Sequence, residues 1–178
     1  MKMKSNIMKK LLIVLVLVFF STPTFAGDYQ FYFFGINSKF FKEAKWGYIV
    51  LGVATSAATH WVGHMAYGKI VGADVGTDGV WRETIRNASP TDNANFARSG
   101  FVAQSIVGLV LTSFEKSRKW DFTKGYVAMN AIEIWTYPIR WRNEGDIHLL
   151  NKYGNGNAEW AGYSVIALHN ILREDFKR

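Results

Sequence analysis

From Gly47 to Gly68 the chain reads GYIVLGVATSAATHWVGHMAYG, without one formal charge. A membrane-spanning helix needs roughly 20 consecutive residues of this kind. A helix on the surface of a soluble domain would show a polar face, and this stretch has none. Its small residues, Gly47, Gly52, Ala54, Ser56, Ala57, Ala58 and Gly63, are the type that lets helix backbones approach closely when no hydrophobic effect drives them together. Two histidines, His60 and His64, interrupt it four residues apart. On a helix that spacing puts both imidazoles on one face, one turn apart.

Three further apolar blocks follow, Ser99–Phe114, Gly125–Ile139 and Ala158–Leu172. They are shorter and carry Gln104, Glu133 and His169, which are costly against lipid and tolerable inside a packed bundle. The blocks predict an all-α fold, a helical membrane bundle of about four apolar helices over residues 47–178. One pattern opposes four spans. With an exported N-terminus, Lys69, Arg82, Arg86, Arg98, Arg140, Arg142 and Lys152 would lie in cytoplasmic loops, and Lys116, Arg118, Lys119 and Lys124 would crowd one external loop. That breaks the usual positive-inside bias. Either some blocks do not span, or the bundle is a soluble exported protein.

Residues 1–26 carry a basic start, an unbroken apolar run from Leu11 to Phe20, and small residues Thr24 and Ala26 before a cut after Ala26. This is the pattern of an export signal. Residues 27–46 are crowded with aromatics and interleaved with Lys39, Lys42 and Lys45. They read as an interfacial segment lying at lipid headgroups, or as a short strand followed by a turn of helix. The chain has no cysteine, which excludes disulfides, thiol catalysis and thiolate ligands. The net charge of +7 is dispersed. It does not point to nucleic acid; the densest basic cluster, EKSRKWDFTK, suits anionic headgroups equally well. The long segment Lys69–Asn93 reads as a Gly-rich loop in which Asp74 and Asp78 belong to turns. SPTDN reads as a helix start capped by Thr91 or Asp92, and YGNGN as a turn with Asn157 as cap.

Two imidazoles one turn apart can reach one metal ion, with zinc taking each nitrogen at about 2.0–2.1 Å. The metalloprotease form of the motif places its general base, Glu, directly after the first His; here Trp61 stands there. Hydrogen-bonded histidines without metal are the alternative. His148 lies two residues from Asp146 and can replace it as ligand or orient it. Glu133 is either a base or a structural partner of Arg140 or a histidine. His169 with Asn170 can complete a polar cluster in the bundle.

The order THWVGH at Thr59–His64, ARSGFVAQSIVGLVL at Ala97–Leu111 and MNAIEIWTYPIRWRNEGD at Met129–Asp146 resembles the core of site-2 proteases, zinc metalloproteases that cut inside membranes. Those proteins carry a His-Glu-x-x-His helix, a later helix opening on a small-residue and Gly turn, and a later Asp as third zinc ligand. The resemblance implies zinc on His60, His64 and Asp146. Two departures, Trp61 for the catalytic Glu and Gly before Asp in EGD, imply a relative that binds or scaffolds a membrane partner instead of cutting it. The competing expectation is a structural or accessory envelope protein without metal.

Overall fold

A computed structural model of the chain describes residues 32–33, 36–37, 43–77, 83–140 and 145–173. The chain divides into two compact units. In the first, Met1–Glu43 with Lys177–Arg178, the described feature is an antiparallel pair of short strands, β1 (Tyr32–Phe33) and β2 (Ile36–Asn37), with Tyr32 opposite Asn37. The signal-sequence reading of residues 1–26, and most of the aromatic segment 27–46, lie outside the described residues.

The second unit, Ala44–Phe176, is mainly helical, as the apolar blocks predict. In order it contains α1 (Trp46–Ile70), the hairpin β3 (Asp74–Thr77) and β4 (Glu83–Arg86), α2 (Pro90–Ser113), the single turn α3 (Glu115–Arg118), α4 (Asp121–Arg140), α5 (Asp146–Tyr153) and α6 (Gly156–Arg173). α1 packs mainly on α4 and α2, while α6 packs on α4, α2 and α5. The long helices therefore form a lozenge, with α2 and α4 across its short diagonal and α1 and α6 at its far corners.

The two corners are held differently. On the α6 side lies an ordinary apolar core: Phe101, Ile134, Tyr137, Ile147, Leu150 and Tyr163 interlock with Ala94, Ala97, Ala131 and Ala167. Arg98 grips Glu159 through two parallel bonds of 2.6 Å, and Trp160 Nε1 donates to the Ile134 carbonyl at 2.8 Å. On the α1 side the buried residues of the helix are Gly52, Ser56, His60, Gly63, His64 and Gly68. Not one is a large apolar residue. Tyr48, Val50, Leu51, Trp61 and Val62 of the same helix are exposed. The small residues allow backbone contact. A Cβ on Gly52 would overlap the Phe122 carbonyl oxygen, and one on Gly125 would overlap that of Ile49. α1 and α4 thus cross through a reciprocal pair of glycines.

Several boundaries correct the sequence reading. Ser89, not Thr91 or Asp92, caps α2: its Oγ accepts the Asp92 N–H at 3.1 Å, and Pro90 follows at the first helical position, where a missing N–H costs nothing. Asn157 lies inside α6, which begins at Gly156. The stretch 69–93 is not simply a loop. α1 ends in a Schellman motif, with Gly72 at φ +66°, its N–H on the Lys69 carbonyl and the Ala73 N–H on that of Gly68. The β3–β4 hairpin then folds back, with Asp74 opposite Arg86; Asp78 lies outside the described residues. Residues 146–153, read as loop, form α5. Among the described residues α2 is the helix long and apolar enough to cross a membrane, by length and composition. α1 has the length, but its histidines and aromatic residues lower its hydropathy.

Gly52→Val is expected to destabilise the chain by at least about 3 kcal/mol, beyond ordinary overpacking, because backbone stands where the side chain would go. Gly47, which has nothing within 4 Å of its would-be Cβ and stands in the first turn of α1, is the control: Gly47→Ala should change stability by no more than about 1 kcal/mol. Thermal unfolding of the full chain in detergent, followed by circular dichroism, measures both.

Candidate metal centre

Ser56, His60 and His64 recur every fourth residue on α1 and form one stripe. On antiparallel α2 the facing stripe is Phe96, Gly100 and Gln104, also four apart. Ser56 meets Gln104, His60 meets Gly100 and Gln104, and His64 meets Phe96 and Gly100. Gly100 must be glycine. A Cβ there would fall 2.6 Å from His64 Nε2 and 2.7 Å from His60 Nε2. The rings meet edge to face, centroids 4.7 Å apart, with His60 edge-on to Phe101 and His64 stacked on Phe96.

The third group arrives from a distant part of the chain. Asp146, the first residue of α5, places Oδ2 at 3.0 Å from His60 Nε2 and 3.3 Å from His64 Nε2. Two contacts set it there. Its N–H donates to the Tyr137 hydroxyl at 2.6 Å. The preceding Gly145 takes φ +81°, and a Cβ on it would stand 2.5 Å from that same hydroxyl; glycine satisfies both constraints. His60, His64 and Asp146 are 7%, 1% and 8% exposed. Burial alone would raise the Asp146 carboxyl, but the imidazoles of His64 and His60 outweigh it and hold the carboxyl well below the usual carboxylate range.

Hydrogen-bond accounting defines the chemistry. His64 Nδ1 lies 2.7 Å from the Phe96 carbonyl oxygen. A carbonyl only accepts, so Nδ1 carries a proton and donates it. His60 Nδ1 lies 3.4 Å from Gln104 Oε1. The Gln104 amide cannot readily be reversed: its Nε2 donates to Ser56 Oγ at 2.8 Å, to the Ser56 carbonyl at 3.2 Å and to Glu133 Oε2 at 3.0 Å, so Oε1 must face His60. Each imidazole is therefore pinned with Nδ1–H outward. In the neutral form both Nε2 lone pairs point at one carboxylate oxygen. Three acceptors converge, and they need a cation or protons between them. Metal-ligating histidines are characteristically held in this way, the remote N–H on a carbonyl or side-chain oxygen. Two donors at about 2.0–2.1 Å from zinc and at the tetrahedral angle stand about 3.3 Å apart. The observed separations agree, and the three donor atoms lie within 4.8 Å of one another. This buried group can hold a metal ion.

The other sequence candidates are placed differently. His148 is exposed, because residues two apart on a helix point to nearly opposite sides; it does not join the group or replace Asp146. His169 is also exposed, and its neighbour Asn170 turns inward, where Oδ1 accepts from Thr112 Oγ1 at 3.2 Å. The polar cluster expected of His169 is built by Asn170 alone. Glu133 is half-buried and bonded to Gln104, on the Nδ1 side of His60 and away from the converging lone pairs. Trp61 points outward. Sequence reasoning did not single out Gly100, Tyr137 or the Phe96 carbonyl; the available signal was an amide, Gln104, one turn beyond a glycine in an apolar block. Comparisons with protein-family models, curated proteins and solved structures found no match to this chain.

Tyr137→Phe leaves the buried Asp146 N–H without its acceptor. The expected cost is about 1–3 kcal/mol, read as a lowered midpoint in denaturant unfolding monitored by tryptophan fluorescence.

Proposed function

We propose that this chain is an exported helical membrane protein of the cell envelope that holds one divalent metal ion, zinc, on His60, His64 and Asp146, and that it does not hydrolyse peptide bonds. The observation that carries the metal reading is the pair of imidazoles locked as Nδ1–H donors with both Nε2 atoms facing one Asp146 oxygen. A bound ion would supply Lewis acidity at this point. The chain's own residues orient the ligands and nearly exclude water. Two histidines and one carboxylate also suit iron(II), so metal content decides between the two.

The reading as a non-hydrolytic relative of site-2 proteases rests on where the carboxylates lie. The position that would carry the general base holds Trp61, which faces out. Glu133 lies behind His60 and is engaged by Gln104. Neither is placed to take a proton from a water beside the lone pairs, as general-base hydrolysis requires.

Membrane embedding draws support from the burial pattern. α1 hides glycine, serine and histidine and presents valine, leucine and tryptophan; α2 presents Val102, Ile106 and Val110, and α6 presents Val165, Leu168 and Leu172. Polar inside and apolar outside suits a lipid surround and makes a poor water-facing surface.

Protein purified without chelator is expected to contain one zinc per chain by elemental analysis. His60→Ala, His64→Ala and Asp146→Ala should each lose it, and His148→Ala and His169→Ala should keep it. Metal-free wild type would leave protons as the bridge and the structural-protein reading in place. Carbonate extraction should leave the chain in the membrane fraction, and mass spectrometry of the mature protein should find Gly27 at its N-terminus; release as a soluble protein overturns the embedding.

A further inference from the structure

We infer that Glu133 is a positioning residue for the metal centre, acting through Gln104 to fix His60 in the tautomer that ligates. This rests on the metal reading above. The chain of contacts is short. Glu133 Oε2 accepts from Gln104 Nε2 at 3.0 Å, and Gln104 Oε1 faces His60 Nδ1 at 3.4 Å. A glutamine amide is nearly symmetric in shape, so its orientation is decided by its neighbours. The Ser56 hydroxyl can turn and donate, and would tolerate a reversed amide, whereas the Ser56 carbonyl, 3.2 Å from Nε2, cannot. Nor can the Glu133 carboxylate, because a reversed amide would bring a carbonyl oxygen against an anion. Glu133, together with the Ser56 carbonyl, therefore holds the amide nitrogen on its own side and delivers the oxygen to His60.

Two effects follow at His60. Its proton is kept on Nδ1, leaving the Nε2 lone pair on the Asp146 side. The negative charge behind Gln104 makes the imidazole a stronger donor to a cation, as carboxylates behind ligating histidines do. Behind His64 a main-chain carbonyl, that of Phe96, takes the Nδ1–H at 2.7 Å, with the Ser99 hydroxyl 3.5 Å from the same nitrogen. His60 is thus the ligand backed through an amide by a carboxylate. The same role accounts for a carboxylate in the apolar block of α4, a costly position unless the group acts there.

The test uses the full chain in lipid nanodiscs, with ¹⁵N-histidine NMR for tautomers and zinc affinity by competition with a chromophoric chelator. Glu133→Leu and Gln104→Leu should weaken zinc by about 10–100-fold. Glu133→Gln keeps an acceptor for Gln104 and loses the charge, so it should fall between these and wild type. In the metal-free chain at alkaline pH, where no proton bridges Nε2 and Asp146, Glu133→Leu should shift the His60 ring signals from a single Nδ1–H form toward a mixture, with His64 unchanged. A merely structural Glu133 would lower the melting temperature in these variants and leave the His60 tautomer and zinc affinity at wild-type values; that result overturns the inference. Wild type that binds no zinc removes the metal reading alone, because the tautomer measurement still decides whether Glu133 sets His60.

Discussion

The structure depends on how α1 is attached. A helix normally docks by burying an apolar stripe, at about 25 cal/mol per Å². The buried stripe of α1 is Gly52, Ser56, His60, Gly63, His64 and Gly68, which offers little of that kind. The helix is held by backbone contact at its glycines and by polar side chains that must all be satisfied. Buried polar groups contribute modestly when paired and cost heavily when a partner is lost. The seating of α1 and the geometry of the His60–His64–Asp146 group are therefore one problem. A proton or cation between the three acceptors does more than occupy a site; it completes the network that keeps the helix in place.

The two sides of the bundle also explain what the sequence could disclose. The α6 side is built from apolar periodicity, and its helices were legible as blocks. The spacing of His60 and His64 was legible because the two residues share one helix. Asp146 entered through the motif order of a resembling family and through no local signal. Gln104 and Tyr137 act on groups 44 and 9 residues away, and nothing in the order of residues announces which helix faces will meet. The short α5 was hidden by its length and by its mix of Asp, His, Asn and Lys. Reading it as loop made His148 look like a substitute for Asp146. On an extended chain the two would share a side; on a helix they cannot. His169 and Asn170 show the same sensitivity, since one residue of rotation decides which of them is inside.

The position of Glu133 separates two meanings of a carboxylate near a metal centre. Beside the Nε2 atoms it would be a base. Behind Nδ1, at the end of a glutamine, it orients a ligand and raises its donor strength. Among the described residues, Glu133 therefore serves the ligand side of the centre and not its open side.

The facing stripes of α1 and α2 make the centre all-or-none. Ser56, His60 and His64 on one helix stand against Gln104, Gly100 and Phe96 on the other, each set four residues apart and running in opposite directions. The three levels differ in kind. At the first an amide is held by a serine, at the second a glycine makes room for two imidazoles, and at the third a main-chain carbonyl takes a proton. A slip of one residue turns a helix by about 100° and would break all three at once. Gly63, whose Cβ would fall 2.5 Å from the Ser99 carbonyl oxygen, blocks that slip by locking the backbones in contact beside the histidines. The glycines that let α1 pack without an apolar stripe are thus also what fixes the register of its ligands.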